Sequence, residues 1–174
     1  MRRLLVGAFP RLLVVGLTAM ALQRVLFARH PVFDVRLQLP LALVVAAGVG
    51  GGSDKGAVAG LALGLMYDLS GNTPVGMTAL CYVAGGIVAG YPYSFTPDPQ
   101  WWLAMMFAFV GAAVGELAVP FMEVVTGDAT WLGGDLFTII PVVALGAALV
   151  CPLLLPLARW MTGVKPKKWK APVG

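Results

Sequence analysis

The chain has 174 residues, enough for one domain, of which 59% are hydrophobic and 11% charged. Soluble domains carry about 25% charged residues, so this composition cannot supply a polar coat and excludes a sizeable soluble domain. The net charge of +4 collects at the chain ends and between apolar runs. That placement points to anionic lipid at a membrane surface and away from nucleic acid, because no basic surface interleaved with base-stacking aromatics is present.

A membrane-crossing helix needs about 20 mostly apolar residues, fewer where it is short and packed. The first run covers Leu4 to Phe27, interrupted by Pro10 and Arg11. Ala19-Met20-Ala21 has the small-x-small form of a signal-peptide cleavage site, which makes Ala21 a conceivable new terminus. Pro10 and Arg11 leave too short a clean apolar core for that, so the segment is expected to be retained. His30 follows in a loop, with no Cys or His at metal-ligand spacing.

The second run covers Val32 to Gly51, and the flexible, charged Gly50-Gly51-Gly52-Ser53-Asp54-Lys55 is expected to end it. The third covers Lys55 to Leu69. In the turn after it, Thr73 reads as a helix N-cap and Pro74 as the first helical residue. The fourth run covers Pro74 to Tyr91, and the three prolines of Tyr91–Pro99 forbid its continuation. The fifth covers Trp101 to Val125, with Trp101 and Trp102 at a headgroup boundary. The sixth covers Leu136 to Met161 and is followed by Lys165, Lys167, Lys168 and Lys170.

The expected architecture is therefore an all-α, polytopic membrane protein of about six spans. Residues 1–164 form the membrane domain and residues 165–174 a basic cytoplasmic tail. With the N-terminus inside, nine of the 12 Lys and Arg residues face the cytoplasm and three, Arg24, Arg29 and Arg36, face out. That asymmetry places both termini inside.

Within the third run, Gly56, Gly60 and Gly64 recur every four residues and lead to Asp68. Residues four apart share a helix face, so this face is nearly bare. In lipid such faces let backbones approach closely, and Gly111 and Gly115 form a second one. Both are expected to pack helices or bind partner helices. Asp68 is read mainly as an acceptor for backbone donors in the turn or at the next helix start, where negative charge is favoured. A ligand contact is the alternative, and Asn72 can serve either purpose. Glu116 is the one carboxylate well inside a span. It is read as an acid holding two helices together, or alternatively as a proton- or substrate-binding group.

Enzyme signatures are missing: there is no HExxH, no GxSxG elbow and no GxxxxGK[ST] loop. No catalytic residue, metal or cofactor is expected. Cys81 and Cys151 lie in apolar runs and read as free buried thiols.

The stretch GAVAGLALGLMYDLSGNTPVGMTALCYVAGGIVAGY, Gly56 to Tyr91, resembles the core of the rod shape-determining protein MreD family. It has the Gly-rich short helix, the Asp68-Leu69-Ser70-Gly71-Asn72-Thr73-Pro74-Val75-Gly76 turn, and a second helix ending in Gly90-Tyr91. The resemblance implies a fold similar to the S-components of energy-coupling-factor vitamin transporters. It also implies a non-catalytic scaffold of the bacterial cell-elongation complex in the cytoplasmic membrane. The implied partners are an MreC-like single-span protein, a RodA-like glycosyltransferase, a class B penicillin-binding transpeptidase and, indirectly, MreB. The alternative is a substrate-binding transport component, with a pocket drawn from Asp68, Asn72, Glu116, Glu123 and Trp131.

Overall fold

The computed structural model describes residues 9–27, 38–71, 74–96, 99–127 and 136–164. These form six α-helices: α1 Phe9–Phe27, α2 Leu39–Gly51, α3 Ser53–Ser70, α4 Met77–Gly90, α5 Trp101–Thr126 and α6 Leu136–Thr162. A single 3-10 turn, Tyr91–Ser94, follows α4. Each expected run overlaps one of these helices, and the fold class is all-α. His30, Asn72, Thr73, Trp131 and the lysine tail lie outside the described residues, as does the side chain of Glu123.

The boundaries differ from expectation at two places, each for a local reason. Gly50 and Gly51 do not break α2 but complete it, and Gly52 alone separates α2 from α3. Gly52 has φ +90°, and a Cβ there would lie 3.1 Å from the Tyr93 ring. Both the left-handed backbone and the close ring therefore demand glycine. The second difference is at α4, which starts at Met77 and not at Pro74. Its N-cap is Gly76 with φ +99°, and Pro74 sits in the preceding turn, where its carbonyl accepts the Met77 N–H at 3.2 Å. Thr73 and Pro74 are not needed to start the helix because Asp68 supplies the acceptors, as described below.

α2 lies at the centre. It is buried from Pro40 to Gly50 and packs against all five other helices. Successive helices alternate direction. Gly56, Gly60 and Gly64 of α3 meet Gly86, Tyr82 and Ala79 of α4 in reverse order, and Gly111 and Gly115 of α5 meet Gly85 of α4. α4 is thus held between two bare faces. α1 is more peripheral and touches α2, α3 and α6, with its Gly16 set against Leu63 and Met66.

On α5 and α6 side-chain size is distributed in reverse of a water-soluble core. α5 buries Ala104, Ala108, Gly111, Ala112 and Gly115, and exposes Met106, Val110, Leu117, Phe121 and Val124. α6 buries Ala144, Ala147, Ala148 and Cys151, and exposes Leu145, Leu149 and Leu153, the last at 77%. Small residues inside let helices pack closely where water does not drive them together, as in lipid. An exposed apolar surface of this extent is abnormal in water. Over Trp101–Met122 and Ile139–Thr162, α5 and α6 are long and apolar enough to cross a membrane. α2 and α4, with 13 and 14 residues, cover only about 20 Å of a hydrocarbon layer about 30 Å thick.

Four prolines lie inside α5 and α6: Pro120, Pro141, Pro152 and Pro156. Each removes an intrahelical donor, which neighbouring helices make tolerable in membrane bundles.

Candidate functional site

The best-defined candidate polar residue, Asp68, lies where α3 ends and α4 begins. Asp68 is in the last turn of α3, 2% exposed. Its Oδ2 accepts the Gly76 N–H at 2.8 Å and the Ala79 N–H at 3.3 Å, and its Oδ1 accepts the Thr78 N–H at 3.3 Å. These donors belong to the first turn of α4, where no intrahelical acceptor exists. A carboxylate offers about four acceptor positions, so three backbone amides occupy most of its capacity. The helix-start role read for Asp68 is the one the structure gives it, although the cap comes across from the neighbouring helix.

Tyr82 stands one turn further along α4 and is 1% exposed. Its hydroxyl donates to Gln38 Oε1 at 2.7 Å, and its ring lies 6.1 Å from that of Tyr67 at a 46° tilt. Gln38 immediately precedes α2, while the Leu39 N–H at the start of α2 donates to Gln23 Oε1 on α1 at 3.0 Å. Arg24, beside Gln23, donates to the Ser70 carbonyl at the end of α3. Each of these bonds joins two helices: α1 to α2, α1 to α3, α2 to α4 and α3 to α4. Together they form a girdle that fixes the helix ends.

Glu116 on α5 is 6% exposed, and its Oε1 has no hydrogen-bond partner among the described residues. Asp68 and Glu116 are both within electrostatic range of Tyr82.

The glycine faces are spent inside the chain. A Cβ on Gly60 would lie 2.6 Å from the Tyr82 carbonyl oxygen, and one on Gly111 would lie 2.7 Å from that of Gly85. Cβ atoms on Gly56 and Gly64 would run into the backbones of Gly86 and Ala79. A Cβ on Gly115 would lie 3.1 Å from the Leu41 side chain. All five pack against this chain's own helices, which is the first of the two roles expected of these faces. Large apolar side chains face outward on α5 and α6, and also on α1, α3 and α4. Cys81 and Cys151 are free and buried, as expected.

Sequence reasoning missed Gln23, Gln38, Tyr82 and Arg24. Their partners lie 16 to 46 residues away, beyond any local pattern. Gln38 did carry a signal, because Pro40 in the first turn of α2 marks a helix start behind it. No family model matches the chain, and neither a curated protein nor a solved structure matches it significantly.

Proposed function

We propose that the chain is a non-catalytic, multi-pass scaffold of the bacterial cytoplasmic membrane that serves the cell-elongation complex, supporting lateral peptidoglycan synthesis and rod shape. Its six helices would be embedded in lipid with both termini in the cytoplasm. The observation that carries the reading is the size distribution on α5 and α6, with small residues facing in and a coat of large apolar side chains facing out. Such a coat suits lipid and the apolar faces of partner helices. The elongation role rests on the resemblance of Gly56–Tyr91 to MreD. Engagement of Asp68 by three backbone amides supports a structural purpose for that carboxylate over the ligand pocket a transport component would need.

The partners would be an MreC-like single-span protein and, through it, a RodA-like glycosyltransferase, a class B penicillin-binding transpeptidase and MreB. Depletion in a rod-shaped host followed by microscopy tests the role. Rounded cells and co-purification of the single-span partner are expected. Unaltered rods, or a metabolite held tightly by the purified protein, would overturn it.

A further inference from the structure

An apolar groove of about 210 Å³ runs along α1 where it meets α2 and α6, lined by Val14, Thr18, Leu22, Leu43, Leu154 and Leu157 among others. The one hydroxyl in that set is already used, because Thr18 Oγ1 donates to the Val14 carbonyl at 2.8 Å. The groove therefore offers its occupant no free hydroxyl donor. Val14 to Leu22 spans about 12 Å of helix. A volume of about 210 Å³ over that length makes a narrow groove, whereas a helix is about 10–12 Å across. A single hydrocarbon chain fits and a helix does not.

One end of this groove is charged. Arg11, one turn before Val14, places its guanidinium 5.1 Å from the ring centre of Trp160, one turn beyond Leu157. The pair bridges α1 and α6 at the groove's mouth. Stacking on indole holds the guanidinium plane while leaving its N–H edges able to donate. Among the described residues Arg11 has no carboxylate partner, and it is exposed. Arg159 and Lys55 lie at the same end of the bundle, both packed against the closing glycines of α2. Basic residues between helices at a cytoplasmic boundary bind phospholipid headgroups, and arginine pairs well with phosphate.

We propose that this groove binds an anionic phospholipid, one acyl chain lying between α1, α2 and α6 and the phosphate held by Arg11 above Trp160. The lipid would fill the weakest seam of the bundle, where α1 is least held by other helices.

Native mass spectrometry of the full-length protein in detergent, titrated with phosphatidylglycerol and phosphatidylcholine of matched chains, tests this. About fivefold preference for the anionic lipid is expected from one basic contact. Arg11→Gln should lower that preference about fivefold relative to the parent protein, and Arg11→Lys should keep part of it. Thr18→Trp, at an exposed position, should abolish the retained lipid by filling the groove with Arg11 and the tail intact. Glycerol phosphate, which lacks acyl chains, should not compete. Equal retention of both lipids, or no effect of either Arg11→Gln or Thr18→Trp, would overturn the proposal. So would competition by glycerol phosphate, which would mean a free-anion site, or disulfide cross-linking of Val14→Cys between copies in a bilayer. Recovery as a monodisperse aqueous protein without detergent would overturn lipid immersion, on which this inference and the proposed function both rest. Failure of lipid discrimination in a protein that still needs detergent would overturn this inference alone.

Discussion

Asp68 ties the end of α3 to the start of α4, and its removal would take the acceptor from three backbone N–H groups at once. Replacing a capping acid by alanine costs about 0.5–2 kcal/mol, and these donors are largely shut away from solvent. Asp68→Ala is therefore expected to cost about 2 kcal/mol, and Asp68→Asn, which keeps one acceptor oxygen, less. Reversible unfolding in mixed detergent micelles would measure both. Glu116 behaves differently. Its buried Oε1 has no hydrogen-bond partner among the described residues, so Glu116→Gln, which keeps the shape and forfeits no bond of that oxygen, is expected to leave stability within about 1 kcal/mol. Cell shape should be unchanged on complementation with this variant; loss of rods would give Glu116 a functional role. The cap by Asp68 was legible because a carboxylate stands just before a turn and a new apolar run. The helix start was misplaced because the Thr73-Pro74 signal is local, and a long-range cap overrides it.

At the level of elements, the bare face of α3 was legible from its four-residue spacing, which needs no knowledge of the partner. What the spacing cannot tell is whose backbone fills the face, and here it is α4 of the same chain. Gly60→Leu and Gly64→Leu must push backbone away from backbone, with no flexible side chain to yield. Overpacking usually costs about 1–3 kcal/mol and more where nothing can move, so both variants are expected to lose about 3 kcal/mol or more. Val58 lies on the exposed side of α3, and Val58→Ala should stay within about 0.5 kcal/mol. Circular dichroism and tryptophan fluorescence through a denaturant titration would separate the two faces. Equal losses at Val58 and Gly60 would contradict this packing. The end of α2 at Gly51 was legible, but the link expected over Gly50–Lys55 shrinks to Gly52, although glycine disfavours helix in water. Here Gly50 admits the Arg159 side chain and Gly51 that of Lys55, and the packing outweighs the propensity.

Across the whole molecule, charge and chain direction agree. Arg11 meets Trp160 at the start of α1 and the end of α6, while Lys55 and Arg159 flank the end of α2. Arg24 is at the opposite end, bonded to Ser70. The basic residues assigned to one side from their order in the chain are thus brought to one side by the fold, wherever they fall within the described residues. That agreement is independent of how apolar each helix is, and it follows from six helices alternating in direction. It predicts the outcome of labelling in intact cells with a membrane-impermeant maleimide. Cys81 and Cys151 are buried and should stay silent. A cysteine at Val75, exposed in the turn after α3, should react without lysis. A cysteine at Lys55 should react only after permeabilisation, because positively charged loops are retained in the cytoplasm. The opposite pattern would invert the orientation while preserving the bundle. Reaction at both sites in intact cells would mean that the α1–α4 half does not traverse the bilayer, leaving only α5 and α6 as spans.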